Sequence, residues 1–373
     1  MNYLPLRRNS LLRELKKESL EVALVTNPTN VTYLSGFHGD SSYLVLSPKH
    51  AILVTDDRFA QQAAEECPDL EVHIRPHNET TPKAAGDVLG KVGAKSVAVE
   101  ADHVSLSLQE VLKESAPKCT FAPTRGKIEA LRAVKDASEV EAIRAAIKVA
   151  ERAYVMFKTT LRESDTEKDM AAAMEAAVRR AGGDCTPFPP ILAVGERGAL
   201  PHAPPTMKTL GEASKLLVDW GAVLNGYRSD LTRTFRSPFE VAPMRRNKAE
   251  RVGYDFEEIY RVVLKAQEAA IATVREGVPG KEVDAAARKV IADAGYGQYF
   301  THGLGHGIGL DTHELPRVRE NSTCTLETGN VITIEPGIYI PGWGGVRIED
   351  DLLVRRDGAL VLSTLPKDGS ATV

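Results

Sequence analysis

The stretch from Leu216 to Phe235 reads LLVDWGAVLNGYRSDLTRTF and has the pattern of a tight β-hairpin that carries two acidic residues. Asn225-Gly226 is the favoured centre of a type I′ turn, which predicts that residue 224 pairs with 227 and residue 219 with 232. In that register Asp219 and Asp230 are diagonal neighbours on one face, with Cβ atoms about 7 Å apart or less. Either aspartate alone would more often cap a turn, so it is their common face that indicates a site.

A glycine-rich segment further along the chain adds histidines to the candidate site. Residues 301–310 read THGLGHGIGL. Each glycine would destabilise a helix by about 1 kcal/mol, so we expect an extended segment. His302 and His306 then share one face, and His313 follows shortly after. A lone histidine would more often be an ordinary core residue, whereas three of them beside glycines that allow close backbone approach favour a functional site.

Two glutamates complete the set of candidate ligands. Glu335 closes the apolar run 331–334 and is predicted to be buried, where a carboxylate needs a cation or hydrogen-bond donors. Glu349 precedes Asp350 and Asp351, and the alternative for it is an exposed strand end beside two solvated aspartates. Four carboxylates and a histidine, without a thiolate, suit Mn²⁺ or Co²⁺, with Zn²⁺ as a third candidate. Two divalent ions about 3.5 to 4 Å apart would offset the negative charge and could hold a bridging hydroxide as nucleophile.

Length and composition limit the class of protein. A chain of 373 residues, 43% hydrophobic and 26% charged, is typical of a globular protein with two domains. The net charge of −4 leaves no basic excess for a phosphate backbone, so nucleic acid is not expected as a partner. The four cysteines are widely spaced, and we find no signal peptide and no apolar run of about 18 residues. These features predict a cytoplasmic protein that has no membrane partner.

The pattern of predicted secondary structure changes near Pro123. Before this residue, helical stretches alternate with short β-rich runs, as in an α/β layer domain. After it, apolar residues recur at helical spacing through residues 127–158. The sequence therefore predicts one domain over residues 1–123 and a second over residues 124–373, and the second holds all the candidate ligands.

The motifs and their order resemble the pita-bread metallopeptidases, family M24B, in the branch of Xaa-Pro dipeptidase (prolidase) and aminopeptidase P. The resemblance implies an α/β creatinase-like N-terminal domain, an α+β pita-bread catalytic domain and a homodimer. The motifs that carry it are NVTYLSGF (30–37), TDDRF (55–59), LRAVKD (131–136), the two aspartates in their hairpin, GHGIG (305–309), TIEPGIY (333–339) and GGVRIED (344–350).

The resemblance also implies a role for each candidate residue. The metal ligands would be Asp219, Asp230, His306, Glu335 and Glu349, with Asp230 and Glu349 bridging both ions. Glu335 would also move protons for the attacking hydroxide. The remaining implied roles are substrate binding for His202, donation to the scissile carbonyl for His313, a place in the pocket lining for His302, and orientation of the adjacent ligands for Arg347.

The implied reaction is hydrolysis of the bond before proline in short proline-containing peptides. That bond lacks an N–H group, so sites that rely on a donor there bind it poorly, whereas two Lewis acids and a histidine need no such donor. Arg317 resembles the arginine that holds the carboxylate of a dipeptide, which favours a dipeptidase over aminopeptidase P; a solvated loop arginine is the alternative. A catalytically silent binding protein on the same fold is the hypothesis of another class. Such relatives and the metal-free creatinase-type hydrolases lose some ligands, so the presence of all five argues against it.

Two features depart from the family pattern. The segment 236–253 is longer than expected and contains the basic stretch MRRNK at 244–248, which could be a lid, a dimer contact or a neutral surface insertion. Trp220, beside the first candidate ligand, is bulkier than the aliphatic residue expected there. We expect it to narrow the substrate cleft.

Overall fold

The structure is a computed structural model that describes residues 3–239 and 253–369. It divides into two compact units, Met1–Arg132 and Ala133–Val373. Pro123, where the sequence placed the boundary, lies in the last strand of the first unit. The basic stretch 244–248 lies outside the described residues. None of the described helices is both long and apolar enough to span a membrane.

The first unit is a six-stranded mixed sheet with helices packed on it. Its strand order is β4-β3-β2-β1-β5-β6, in which β1, β2 and β3 pair antiparallel and the remaining neighbours pair parallel. Helices α4 and α5 bury their apolar faces against the sheet. The elements are α1 (Leu4–Lys16), β1 (Val22–Val25), α2 (Pro28–Ser35), β2 (Tyr43–Leu46), β3 (Ala51–Thr55), α3 (Ala60–Glu66), β4 (Glu71–Ile74), α4 (Thr81–Lys91), β5 (Ser96–Glu100), α5 (Leu106–Ser115), β6 (Thr120–Thr124) and α6 (Lys127–Ala133).

The second unit combines antiparallel sheets with two pairs of helices. A three-stranded sheet has the order β11-β8-β7, a five-stranded sheet has the order β13-β12-β14-β17-β18, and two hairpins complete it. The elements are α7 (Ala137–Thr160), α8 (Glu167–Arg180), β7 (Ile191–Val194), β8 (Lys215–Trp220), β9 (Val223–Leu224), β10 (Tyr227–Arg228), β11 (Leu231–Arg236), α9 (Phe256–Thr273), α10 (Gly280–Asp293), β12 (Gly305–Gly307), β13 (Glu314–Val318), β14 (Val331–Ile334), β15 (Gly337–Ile340), β16 (Gly344–Arg347), β17 (Asp350–Val354) and β18 (Ala359–Val361).

Each helix pair in the second unit covers one sheet. Helices α7 and α8 bury a cluster with β7, β8 and β11 that includes Phe157, Leu216 and Val218. Helices α9 and α10 bury a second cluster with β14, β16 and β17. The apolar residues of α7 recur at helical spacing and become its buried face, as the sequence predicted. Each helix pair therefore covers one face of its sheet, and the opposite faces of the sheets remain available to form a site.

The predicted hairpin forms with the predicted register. Leu224 pairs with Tyr227, and Asp219 pairs with Thr232. Asn225 and Gly226 have φ values of 50° and 81°, the left-handed backbone that a type I′ turn requires at both central positions. Because the turn fixes the register, it also fixes the face on which the two aspartates lie.

The glycines of β12 allow three strands to approach closely. A Cβ atom on Gly305 would collide with the carbonyl oxygen of Thr333, and one on Gly307 with that of Leu315. The segment is therefore extended backbone between β13 and β14, as its alternating glycines predicted. His306, between the two glycines, is held by backbone on both sides.

Candidate metal centre

The predicted site residues come together in one cavity of the second unit, with a volume of about 500 Å³. They come from separate parts of the chain, and four of them, Asp219, His306, Arg317 and Arg347, lie on strands β8, β12, β13 and β16. The predicted residues that line the cavity are Asp219, Asp230, His306, Glu335, Glu349, His202, His302, His313, Arg317 and Arg347.

Asp219 faces the cavity and Trp220 faces away from it. Trp220 is fully buried, stacks on Tyr154 with ring centroids 4.4 Å apart, and donates from its indole nitrogen to the carbonyl oxygen of Ala150 at 3.0 Å. The expectation that Trp220 narrows the substrate cleft is therefore wrong. Successive strand residues point to opposite faces, so a ligand at 219 puts residue 220 in the core.

His306 presents one ring nitrogen to two carboxylates. Its Nδ1 lies 3.0 Å from the carbonyl oxygen of Gly307, which can only accept, so Nδ1 carries the proton and Nε2 keeps its lone pair. Nε2 lies 3.7 Å from Oδ2 of Asp230 and 3.5 Å from Oε1 of Glu335. Burial, with the nearby His313 as a second cause, lowers the pKa of His306 to about 3, so its ring is neutral near pH 7. A neutral imidazole in this tautomer is a metal ligand.

Asp230 and Glu349 complete the closest group of donors. One donor atom from each of Asp230, His306 and Glu349 lies within 4.8 Å of the other two. Burial, reinforced by Glu349, raises the pKa of Asp230 well above its usual value, and burial, reinforced by Asp219, raises the pKa of Glu349 to about 8. Without a cation these carboxyl groups are thus forced towards their neutral forms.

Asp219 and Glu335 are also buried carboxyl groups whose ionised forms are disfavoured. Burial raises the pKa of both groups, and Arg347 opposes the rise. Oδ1 of Asp219 is buried and accepts no hydrogen bond. Glu335 directly follows β14, as predicted, and its side chain is 18% exposed to the cavity. A buried oxygen without a donor, clustered carboxylates and an imidazole lone pair together fit divalent cations, which supply the missing positive charge.

Arg347 connects three parts of the site. Its guanidinium donates to Oδ2 of Asp219 at 2.5 Å, to Oγ1 of Thr232 at 3.0 Å and to the hydroxyl of Tyr339 at 2.8 Å. The Thr232 hydroxyl in turn donates to Oε2 of Glu349 at 2.6 Å. Thr232 and Tyr339 were not predicted as site residues. Their signal was present, since Thr232 lies two positions after Asp230 on a strand and Tyr339 belongs to the TIEPGIY motif.

His302 has both ring nitrogens engaged within the protein. Its Nδ1 donates to the carbonyl oxygen of Gly303 at 2.7 Å, and its Nε2 accepts from the Tyr339 hydroxyl at 2.7 Å. Burial lowers the pKa of His302 to about 4, so the ring stays neutral. His302 therefore lines the cavity with a ring whose orientation is fixed by two hydrogen bonds.

The two aspartates after Glu349 are buried. Both Asp350 and Asp351 are 0% exposed, so the expectation that they are solvated is wrong. Asp350 accepts from Arg233 of β11 at 2.8 Å, and Asp351 accepts from the backbone N–H of Asp230 at 3.1 Å. Because these partners are more than 100 residues away along the chain, the local sequence could not indicate them. Asp350 and Asp351 thus hold β11 and the backbone of Asp230 in place beside the candidate metal ligands.

Glu167 is a further buried carboxylate that sequence reasoning missed. It accepts from the backbone N–H of Val194 at 2.9 Å, from Nε of Arg197 at 2.8 Å and from the backbone N–H and the hydroxyl of Thr206 at 2.8 and 2.6 Å. These bonds tie together both ends of the segment that carries His202. No local signal marks Glu167, since it stands at the start of an ordinary amphipathic helix.

The remaining predicted residues surround the centre. The ring of His313 lies 4.4 Å from that of His306 in an edge-to-face arrangement, and burial lowers its pKa. Arg317 is the Cα partner of His306 across β12 and β13. His202 lies on the segment that Arg347 contacts through the carbonyl oxygen of Pro201.

Comparisons with known proteins identify the family. Residues 141–356 match the model of metallopeptidase family M24, which covers more than half of the chain. The chain belongs to metallopeptidase family M24. Residues 7–134 match the Creatinase/Prolidase N-terminal domain. These matches confirm the predicted metallopeptidase and the predicted fold, a creatinase-like N-terminal domain followed by a pita-bread domain. Membership of the family implies divalent metal ions, for which the donor set above is suited.

Several relatives are similar over nearly their whole length. The Xaa-Pro dipeptidase of Pyrococcus furiosus is 33% identical over 97% of this chain and 99% of its own. A solved Xaa-Pro dipeptidase from Bacillus anthracis has a TM-score of 0.89 at 32% identity and covers 98% of this chain and 99% of its own. A solved X-Pro aminopeptidase from Thermotoga maritima has a TM-score of 0.86 at 32% identity, with coverage of 95% and 99%.

Proposed function

We propose that this protein is an Xaa-Pro dipeptidase that uses two divalent ions, Mn²⁺ or Co²⁺ before Zn²⁺. The observation that carries the proposal is the single cavity in which four carboxylates, His306 and three further histidines meet. The names of the relatives from Pyrococcus furiosus and Bacillus anthracis support the reaction and the substrate class.

The proposed ligands of the two ions are Asp219, Asp230, His306, Glu335 and Glu349, with Asp230 and Glu349 shared between them. When bound, such ions supply Lewis-acid activation of water and of a carbonyl group. The rest of the chemistry belongs to side chains of the chain itself. Glu335, partly open to the cavity, is suited to accept a proton from the attacking water and to pass it on to the leaving nitrogen.

His313 and His202 have proposed roles at the substrate. His313 is partly open to the cavity and lies beside His306, where a ring N–H can donate to the oxygen that becomes negative as the scissile carbonyl is attacked. His202 is proposed to bind the substrate, since Glu167 and Arg197 hold its segment against the cavity. His302 forms a wall of the pocket, and Arg347 orients Asp219 and, through Thr232, Glu349.

Arg317 is the proposed partner of the substrate carboxylate. It stands opposite His306 across two strands, lines the cavity, and its guanidinium has no ion pair or hydrogen bond within the described part of the chain. An arginine placed there can bind the carboxylate of a dipeptide through two parallel hydrogen bonds. Arg317 would therefore favour dipeptides, because in a longer peptide the carboxyl group of the proline is part of a peptide bond and carries no charge.

The test uses metal-stripped protein that is reloaded with Mn²⁺ or Co²⁺ and assayed on Ala-Pro, Gly-Pro and Ala-Pro-Ala, with Ala-Ala as the control. We expect metal-dependent cleavage of both proline dipeptides and little cleavage of Ala-Ala. Inactivity on all four peptides in protein that binds no metal would support a catalytically silent binding protein instead.

Aminopeptidase P is the second candidate function. The Thermotoga maritima structure, which is named X-Pro aminopeptidase, is as similar in sequence as the Bacillus anthracis dipeptidase. Cleavage of Ala-Pro-Ala with no cleavage of the dipeptides would favour this activity.

The family resemblance supports a homodimer, and the four free, widely spaced cysteines support a cytoplasmic location. Light scattering of the purified protein tests the first of these proposals. A mass of about 81 kDa, twice the 40.5 kDa of one chain, is the expected result.

A further inference from the structure

A second arginine faces the same cavity beyond the one assigned to the dipeptide carboxylate. Arg319 follows β13 by one residue and lines the cavity together with Arg317. Like Arg317, it has no ion pair and no side-chain hydrogen bond among residues 3–239 and 253–369. Two guanidinium groups without anionic partners at one side of a substrate cavity are both available to bind a substrate carboxylate.

The position of Arg319 is set by a glycine. A Cβ atom on Gly303 would lie 2.8 Å from Cβ of Arg319 and 3.3 Å from the carbonyl oxygen of Val318. A residue with a side chain at position 303, directly after His302, would clash with the Cβ atom of Arg319, whereas glycine leaves room for it. The glycine therefore allows the Cβ atom of Arg319 to pack closely, although the residue as a whole is exposed.

The two arginines are close enough together to serve substrates that differ in length by one residue. Arg317 stands opposite His306, and Arg319 lies two residues further from it along the chain, which is at most about 7 Å. Each residue added to an extended peptide moves its terminal carboxylate by about 3.5 Å. A tripeptide that continues from Arg317 towards Arg319 would therefore bring its carboxylate closer to the Arg319 side chain, which also lines the cavity.

We propose that Arg319 binds the C-terminal carboxylate of Xaa-Pro-Yaa tripeptides, so that the site has a second carboxylate position one residue beyond that of Arg317. This inference rests on the proposed function, since it uses the same centre and the same cleaved bond. The substrate class is extended from dipeptides to tripeptides with a free C-terminus.

The test compares Arg319→Gln with the unchanged protein, both loaded with Mn²⁺, on Ala-Pro, Ala-Pro-Ala and C-terminally amidated Ala-Pro-Ala. Loss of a charge-assisted hydrogen bond predicts a fall of about tenfold or more in kcat/KM for Ala-Pro-Ala. The values for Ala-Pro and for the amidated peptide should change less than about threefold, since neither presents a carboxylate to Arg319. Arg319→Lys should retain most of the tripeptide activity, and Arg356→Gln, an exposed arginine that does not line the cavity, serves as the matched control.

Three results would overturn the inference. Equal losses on the free and the amidated tripeptide would show that the charge is not recognised, and an unchanged Ala-Pro-Ala value in Arg319→Gln would remove the residue from the site. Cleavage of Ala-Pro without any cleavage of Ala-Pro-Ala by the unchanged protein would exclude the second position while leaving the proposed dipeptidase intact. Inactivity of the unchanged protein on all three peptides would instead refute the proposed function itself.

Discussion

Nη2 of Arg347 lies 2.5 Å from Oδ2 of Asp219, and both side chains are almost completely shielded from water. The same guanidinium reaches Thr232, which donates to Glu349. One arginine therefore holds two of the proposed metal ligands in place, and it lies 128 residues from Asp219 along the chain. Its own position depends on Tyr339, which joins it to His302.

Replacement of Arg347 should destabilise the protein and weaken metal binding. Removal of one partner of a buried ion pair costs about 3 to 5 kcal/mol, because the other charge stays buried without compensation. We expect Arg347→Gln to lower the melting temperature most in metal-free protein, since a bound cation also compensates Asp219. The control is Arg236→Gln, whose pair with Glu257 is half exposed and should contribute less than about 1 kcal/mol. Equal melting temperatures for the two variants would contradict the role of Arg347.

The stability of metal-free protein should fall between pH 6.5 and pH 8. Burial raises the pKa of Glu349 to about 8 and also raises those of Asp230 and Glu335, so the folded state holds protons that the unfolded state has already released. The proton on Glu349 lowers the free energy of unfolding by up to about 1.4 kcal/mol per pH unit as the pH rises through this window. His302 and His306 act in the opposite direction, but only below about pH 6.5, where an unfolded histidine gains its proton.

Urea unfolding of chelator-treated protein at several pH values measures this dependence. Reloading with Mn²⁺ should remove most of it, because the bound ions favour the ionised carboxylates. A metal-free protein as stable at pH 8 as at pH 6.5 would show that the carboxylates are not held together as described.

Much of the centre followed from the sequence where local geometry was decisive. The Asn225-Gly226 turn fixes the register, and the register fixes the common face of Asp219 and Asp230. The alternating glycines around His306 require an extended strand for the same local reason. The surroundings of Asp350 and Trp220 could not be predicted in this way, because Arg233 and Tyr154 reach them from distant elements.

Arg317→Ala should raise KM for Ala-Pro far more than for Ala-Pro-Ala. The dipeptide loses its carboxylate partner, worth about tenfold to a hundredfold in affinity, while the tripeptide keeps Arg319. Steady-state kinetics on both peptides separates the effects, and kcat for Ala-Pro should change less than KM. An equal rise in KM for the two peptides would remove the assignment of the carboxylate to Arg317.

Glu167→Gln should impair the segment that carries His202 without removing metal. A glutamine amide has only one acceptor oxygen, so it cannot accept all the hydrogen bonds that the Glu167 carboxylate accepts from Arg197 and Thr206. We expect the free energy of unfolding to fall by about 1 to 3 kcal/mol. We expect a higher KM for Ala-Pro with unchanged metal content by elemental analysis. Glu175→Gln, an exposed position on the same helix, is the control. Loss of metal in parallel with activity would point to general damage rather than to a positioning role for Glu167.

The stoichiometry of bound metal, measured together with its position, tests the central claim most directly. Crystals of Co²⁺-loaded protein should show two anomalous peaks about 3.5 to 4 Å apart, with Asp219, Asp230, His306, Glu335 and Glu349 in direct contact. Elemental analysis should give two ions per chain in the unchanged protein and in Asp293→Ala, and a large loss in Asp230→Ala, which should retain its circular dichroism spectrum. A single ion, an ion held elsewhere, or full loading of Asp230→Ala would contradict the claim that these five residues bind the pair.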